Sequence, residues 1–131
     1  LDSLIPFFGM LAIGLATANL SSGNAFGMET DLPWGIELWG MKRHPSQIYT
    51  MLAALVTLNL LLPPKENAQP QAGTSSLTFI AFTAGYTLFL EAFRGDSTLI
   101  FGGIRSMQVI SFIILAATLW ALDKRKIKKT E

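Results

Sequence analysis

Residues 41–64 read MKRHPSQIYTMLAALVTLNLLLPP, a basic triplet that runs into a proline and then into a long apolar stretch. Pro45 stands at a position typical of the first turn of a helix, where its missing N–H costs nothing. The apolar run that follows is long enough to enter a lipid bilayer. The stretch therefore predicts a membrane helix that begins at the membrane–water interface.

The composition extends this prediction to the whole chain. Of 131 residues, 50% are hydrophobic and 15% are charged, which is typical of a membrane protein and not of a soluble domain. Four stretches of about 16–17 residues approach the length that a ~30 Å hydrocarbon core requires. We expect an all-α polytopic membrane bundle with about four transmembrane helices and an interfacial outer loop, in a single domain over residues 1–131. The predicted spans are Leu4–Leu20, Gln47–Leu62, Leu77–Phe93 and Met107–Leu122.

Some chemistry is excluded by what the sequence lacks. The chain has no cysteine and a single histidine, His44, so disulfides, thiolate chemistry and soft metal sites are excluded. We expect neither a metal nor another cofactor, and no nucleic-acid partner. The chain begins at Leu1 without the charged segment and cleavage motif of a signal peptide. We therefore expect a fragment or an incomplete form of a longer protein.

Basic residues predict the orientation of the bundle. Five of the ten Lys and Arg residues lie between Lys124 and Lys129, and basic segments next to spans stay in the cytoplasm. We expect a cytoplasmic C-terminus. Four alternating spans then place the 63–74 connector on the same side and the 21–46 and 94–106 loops on the outer side. The simplest role for the tail is an anchor to anionic lipid.

Arg43 and His44 stand at the predicted start of the second helix. The free N–H groups and the positive end of a helix favour a nearby anion. Arg43 offers a planar fork to phosphate oxygens, and His44 offers a further donor. The alternative is that both side chains are interface anchors, with their polar ends reaching toward water.

The third predicted span carries Glu91, followed by Arg94 three residues later. An ionisable residue within a span is expensive and indicates a functional site. The two residues share a helical face, so the alternative is a structural ion pair. Tyr86 lies near the same side, and Gln108 opens the fourth helix from the outer side. A histidine, two arginines and a carboxylate gathered at the outer leaflet favour a phosphate-bearing lipid.

Four short motifs occur in a recognisable order. They are TDLPWG at residues 30–35, RHPSQIY at 43–49, EAFRGD at 91–96 and SMQVIS at 106–111. In order and spacing, the chain resembles the C-terminal half of the bacterial prolipoprotein diacylglyceryl transferase family. The resemblance covers roughly residues 4–123, and RHPSQ followed by Leu or Ile and then Tyr is its most specific motif.

The resemblance implies a function as well as a fold. Members are multi-span enzymes of the bacterial inner membrane, which transfer the diacylglyceryl group of phosphatidylglycerol to the lipobox cysteine of a preprolipoprotein. It therefore implies a phosphatidylglycerol-like phospholipid partner and an active face on the outer side. Asn19, Gln47 and Tyr49 match family positions, and Arg94 matches the arginine of the family's E-F-F-R helix.

The chain also departs from the family pattern. The signature H-G-R-x-G-N-F-x-N-G-E-x-x-G aligns with GLATANLSSGNAFG at residues 14–27. Its arginine falls on Ala16, its second asparagine on Ser22 and its glutamate on Asn24. The glutamate that follows the tyrosine of RHPSQLYE is Thr50 here. The family's front half, with its own histidine-bearing motif, is missing from the chain.

Two hypotheses follow from these matches and departures. The favoured one is a non-catalytic phospholipid-binding subunit of a larger membrane complex, because each missing contact to developing charge costs about 3–4 kcal/mol. The alternative is an active phosphatidylglycerol–prolipoprotein diacylglyceryl transferase whose missing groups lie in an unseen front half or in a partner. A channel or transporter is a distant third, because no second ionisable residue lies deep in a span.

We assign no catalytic residue. The expected residues of the headgroup site lie at the outer ends of the four helices. The headgroup ligands are Arg43, His44, Arg94 and Asn19, with Gln47, Tyr49, Glu91 and Gln108 in support.

Overall fold

The computed structural model describes residues 2–62, 72–100 and 102–127. It contains four α-helices, joined on one side of the bundle by loops with short strands. Single 3₁₀ turns precede the first helix and follow the third, at Asp2–Leu4 and Glu91–Phe93. The helices are α1 (Ile5–Ser22), α2 (Ser46–Leu61), α3 (Thr74–Leu90) and α4 (Ser106–Ile127).

Three segments are long and apolar enough to cross a membrane: Asp2–Ser22, Thr74–Phe93 and Ser106–Arg125. The remaining helix, α2, is apolar but has 16 residues, or ~24 Å at 1.5 Å per residue. It is therefore shorter than a ~30 Å hydrocarbon core. The predicted all-α membrane fold is confirmed, with each helix close to the apolar run that predicted it.

Small residues form the contacts between helices, and large apolar residues cover the outside. Helix α1 packs on α2, α2 on α3, and α3 on α4. The buried apolar residues include Ala16, Ala54 and Ala81, which permit close approach of helix backbones. Large side chains such as Phe112 and Trp120 are 61% and 65% exposed. An outside of this kind is suited to lipid and not to water.

The loop between α1 and α2 contains a β-hairpin that the sequence did not predict. Strand β1 (Ile36–Leu38) pairs antiparallel with β2 (Met41–Arg43). Trp39 and Gly40 form the turn, with φ of +57° and +74°, as a two-residue hairpin turn with positive φ at both positions requires. A second hairpin precedes α4 and joins β3 (Leu99–Ile100) to β4 (Ile104–Arg105). Trp39 in the first turn and Trp34 before β1, which are 67% and 59% exposed, lie at this end of the bundle.

An extended segment, residues 26–30, ties the loops to the end of α3. The Met28 N–H donates to the Phe93 carbonyl at 2.8 Å, and the His44 N–H donates to the Met28 carbonyl at 2.9 Å. Gly27 lies so close to His44 that an added Cβ would overlap the His44 backbone oxygen. The segment thus lies between the start of α2 and the residues that follow α3.

At the opposite end of the bundle, Asp2 caps α3. Its carboxylate accepts hydrogen bonds from the Gly73 and Ser76 N–H groups at 2.7 and 2.8 Å, which satisfies donors that the first turn leaves free. Residues 63–71 of the predicted connector and the basic tail beyond residue 127 lie outside the described residues. The cytoplasmic C-terminus therefore stays a prediction.

Candidate functional site

A cavity of about 200 Å³ lies among α1, α2 and α3 at the end of the bundle that carries the hairpins. Each of the three helices contributes polar side chains to it. We call it the Arg94 cavity, because Arg94 is the one charged residue in its lining among the described residues. The lining consists of Ala12, Leu15, Ala16, Asn19, Ala25, Gln47, Thr50, Tyr86, Thr87 and Arg94.

Arg94 ends the 3₁₀ turn that follows α3, and its backbone is extended, with ψ of 140°. Its Nε and Nη2 donate to the two oxygens of Asp96 at 3.0 and 3.1 Å. This two-pronged pair is the strong geometry for a guanidinium and a carboxylate. Nη1 lies 3.6 Å from Glu91 Oε2, which is beyond hydrogen-bond length. The Arg94 side chain is 32% exposed, so it remains accessible.

Glu91 is buried, with its side chain 3% exposed. Besides the Arg94 contact, its carboxylate accepts a hydrogen bond from the Ser97 hydroxyl. The ion pair that the spacing of Glu91 and Arg94 suggested is therefore present, although Asp96 is the closer partner. Together the two carboxylates hold the Arg94 side chain, which lines the cavity.

Gln47 and Thr50 bring α2 into the site. Gln47 is 2% exposed, and its Nε2 donates to the Asn24 carbonyl at 2.7 Å. Thr50 Oγ1 donates back to the Ser46 carbonyl at 3.0 Å, a bond common for Thr in helices. Asn19 faces them from the last turns of α1. Three of the residues expected from the sequence, Asn19, Gln47 and Arg94, are thus brought together.

Two departures from the family pattern also lie in this cavity. Ala16, which is 4% exposed, stands where the pattern has an arginine, and Thr50 stands where it has a glutamate. Both line the cavity with Arg94. Each replacement removes a charge that the resemblance implies for this place. Asn24, the third such position, is exposed and contributes its backbone carbonyl.

Arg43 lies outside the cavity lining. Its Nε donates to the Leu38 carbonyl at 3.3 Å, and its Nη1 donates to the Gly27 carbonyl at 3.4 Å. The guanidinium lies 4.9 Å from the centre of the Phe26 ring, within cation–π distance. Nη2 lies 3.8 Å from Glu29 Oε1. In this arrangement Arg43 fastens the hairpin to the 26–30 segment.

His44 and Tyr49 form a second cluster, also outside the cavity lining. Trp34 Nε1 donates to the Tyr49 hydroxyl at 3.0 Å, and that hydroxyl lies 3.3 Å from His44 Nδ1. The imidazole packs edge-on against Phe93, with ring centres 5.4 Å apart. Gln108 belongs to neither cluster, because its Oε1 accepts from the Arg105 N–H at 3.3 Å at the start of α4.

Arg105 is a residue of the site that sequence reasoning missed. Its guanidinium donates to the carbonyls of Arg94 and Ala92, at 2.6 and 3.0 Å. These bonds fix the backbone on both sides of Phe93 and therefore the position of Arg94. The sequence placed Arg105 in the same outer loop, but the carbonyl contacts depend on the fold.

Two of the apolar grooves that adjoin the cavity have volumes of about 400 Å³ or more. One, of about 400 Å³, lies between α1 and α3 and shares Ala12 and Leu15 with the cavity lining. The other, of about 600 Å³, lies among α2, α3 and α4 and shares Tyr86. A cavity that contains a guanidinium therefore shares lining residues with surfaces suited to hydrocarbon.

The fold and the cavity define a multi-pass α-helical membrane protein with a polar site at one end of its bundle. The family model for prolipoprotein diacylglyceryl transferase matches residues 2–122. The chain belongs to this family, as the motifs predicted. No solved structure matches the chain significantly.

Curated relatives carry the name phosphatidylglycerol–prolipoprotein diacylglyceryl transferase. The Geobacter sulfurreducens protein is 33% identical over 116 residues, which cover 82% of this chain and 45% of the relative. The Finegoldia magna protein is 30% identical over 120 residues, covering 89% of the chain and 48% of the relative. The Clostridioides difficile protein is 36% identical over 95 residues, covering 72% and 38%. The chain thus spans about half or less of the length of these relatives.

Proposed function

We propose that this chain binds an anionic phospholipid, with the headgroup phosphate at Arg94 and an acyl chain in the groove between α1 and α3. One observation carries the proposal: the cavity that contains Arg94 shares Ala12 and Leu15 with an apolar groove. A phospholipid has the same order of groups, since a charged phosphate joins hydrocarbon chains through a short polar region. The names of the relatives include phosphatidylglycerol, which agrees with this class of ligand.

The contacts of Arg94 indicate where a phosphate would bind. Asp96 occupies Nε and Nη2, whereas among the described residues Nη1 makes only the 3.6 Å contact with Glu91. Nη1 is therefore the donor that a phosphate oxygen would engage first. A charge-assisted hydrogen bond of this kind is shorter and stronger than a neutral one.

We propose further that this chain alone is non-catalytic. Transfer to a thiol needs a base to take the proton and a group to stabilise the leaving glycerol phosphate. Ala16 and Thr50 leave Arg94 as the one charge in the described cavity lining, and His44 lies in the other cluster. The loss of even one preorganised contact costs about 100- to 1000-fold in rate.

In this proposal the chain acts as a subunit of a larger complex in the bacterial inner membrane, with a cytoplasmic C-terminus. Its many exposed apolar side chains are suited to contact either lipid or further membrane helices. The second candidate is an active transferase completed by other residues of such a complex. Family membership and the names of the relatives favour it.

Two measurements test these proposals. Native mass spectrometry of the purified chain with equal amounts of phosphatidylglycerol and phosphatidylcholine measures retained lipid, and we expect preferential retention of phosphatidylglycerol. Equal retention would contradict the binding proposal. Transfer of labelled diacylglyceryl to a lipobox peptide by the chain alone would instead contradict the non-catalytic proposal, whereas transfer only in the presence of the other members of the complex would support the second candidate.

A further inference from the structure

Gln47 is held in a single orientation at the first turn of α2. Its Nε2 donates to the Asn24 carbonyl at 2.7 Å. Because a carbonyl only accepts and an amide oxygen cannot donate, this contact fixes which end of the amide is nitrogen. Next to it, Ser46 Oγ donates to the Ala25 carbonyl at 2.6 Å. The two bonds attach the start of α2 to the 23–27 loop. They also exclude a rotation of the Gln47 amide that would exchange its oxygen and nitrogen.

The amide oxygen of Gln47 is left without a donor. It is buried, and no hydrogen-bond partner lies within reach of it among the described residues. Almost all buried polar groups in proteins are hydrogen-bonded, so an exception calls for a specific explanation. Gln47 lines the same cavity as Arg94. A ligand hydroxyl that reached this oxygen from the cavity would supply the missing donor.

We propose that Gln47 is a specificity-determining residue whose Oε1 accepts a hydrogen bond from a hydroxyl of the lipid headgroup. This inference rests on the proposed phospholipid site. The donor that suits it is a hydroxyl, because a hydroxyl adds no positive charge beside Arg94. Asn19 and Thr50 lie in the same lining and offer partners for a second hydroxyl. The ligand class is thus an anionic phospholipid with a polyol headgroup.

The test compares phosphatidylglycerol with phosphatidylmethanol of the same acyl chains. Both lipids carry one phosphodiester charge, but phosphatidylmethanol has no headgroup hydroxyl. For the unaltered chain in detergent, competition measured by native mass spectrometry is expected to favour phosphatidylglycerol at least about fivefold, since an unpaired buried acceptor is costly. Equal affinity for the two lipids would overturn the inference.

Two variants assign the preference to Gln47. Gln47→Met removes the acceptor at nearly constant size, so its preference is expected to fall to about onefold while phosphatidylmethanol binding is retained. Gln47→Glu keeps the side-chain length but loses the Nε2 donor to the Asn24 carbonyl, so two acceptors would face each other, the side chain is expected to turn away, and the preference is expected to fall here too. A Gln47→Met variant that kept the full preference would overturn the inference.

The outcomes separate this inference from the proposed function. Failure to retain either anionic lipid above phosphatidylcholine would refute the phospholipid site itself. Retention of both anionic lipids to the same degree would leave that site intact and refute only the role of Gln47. If Gln47→Met does not fold, the unaltered chain still decides, because the inference requires it to prefer phosphatidylglycerol to phosphatidylmethanol.

Discussion

Ala16 of α1 and Arg94 beyond α3 line the same cavity, and the motif resemblance implies an arginine at the position that Ala16 occupies. Ala16 is 4% exposed, and its methyl group leaves the cavity with a single cation in the described lining. The proposed headgroup site is therefore reduced in charge. Restoring the second cation is a direct way to probe it.

Ala16→Arg is expected to raise the affinity for phosphatidylglycerol at least about tenfold, because a second guanidinium adds a charge-assisted hydrogen bond worth ~1.5–3 kcal/mol. Lipid titration followed by native mass spectrometry measures the change. Ala16→Met is the matched control, since it adds bulk without charge and is expected to weaken binding. If both variants weaken binding, phosphate does not enter the cavity beside residue 16.

Asp96→Asn is expected to strengthen phosphatidylglycerol binding roughly two- to fivefold. Asp96 competes with the lipid for Arg94 through two hydrogen bonds, and a partly exposed pair of this kind contributes at most ~1 kcal/mol. The control is Glu37→Gln, which makes the same change in charge at an exposed position of strand β1. An equal gain in both variants would indicate a general charge effect and not a release of Arg94.

Gly27→Ala is expected to destabilise the chain by ~1–3 kcal/mol, because the added methyl would overlap the His44 backbone. Thermal unfolding in detergent measures the loss. Gly14→Ala is the control, since a Cβ there meets nothing within 4 Å and helix propensity favours Ala by about 1 kcal/mol. Equal melting temperatures for the two variants would contradict the close packing of the 26–30 segment on the start of α2.

The predicted orientation is testable by labelling, because the chain has no cysteine of its own. Glu37→Cys on the hairpin is expected to react with an impermeant maleimide from the outer side of the membrane. Lys124→Cys, near the opposite end of the bundle, is expected to react only from the cytoplasmic side. The reverse pattern would invert the orientation and move the Arg94 cavity to the cytoplasmic leaflet.

The helices were predictable from the sequence and the hairpins were not. Long apolar runs with interfacial ends locate α1 to α4 within a few residues. Strands β1 and β2 have only three residues each, too few for an alternating pattern. Their turn contains Trp39 at positive φ, where Asn or Asp would have given a signal. The hairpin depends on contacts with the 26–30 segment, which no local pattern reveals.

The candidate site was predictable only where spacing along one helix decides which residues meet. The spacing of Glu91 and Arg94 indicated their pairing, and it is present. The closer Asp96 partner was not predicted, because the chain leaves helical geometry at Arg94 and helical spacing no longer applies. The headgroup role expected for Arg43 stays a prediction, and the contacts of its guanidinium with the carbonyls of Leu38 and Gly27 were not predicted. Those contacts exist only once the loop has folded.

The most direct test of the central proposal compares the phosphatidylglycerol affinity of two single variants, Arg94→Gln and Lys42→Gln. Lys42 is exposed on strand β2 at the same end of the bundle, so both variants lose one positive charge on the same side. Native mass spectrometry is expected to show at least a tenfold loss of affinity for Arg94→Gln, as a lost charge-assisted hydrogen bond predicts. For Lys42→Gln we expect a change below about twofold. Equal affinities in the two variants would contradict a headgroup site at Arg94.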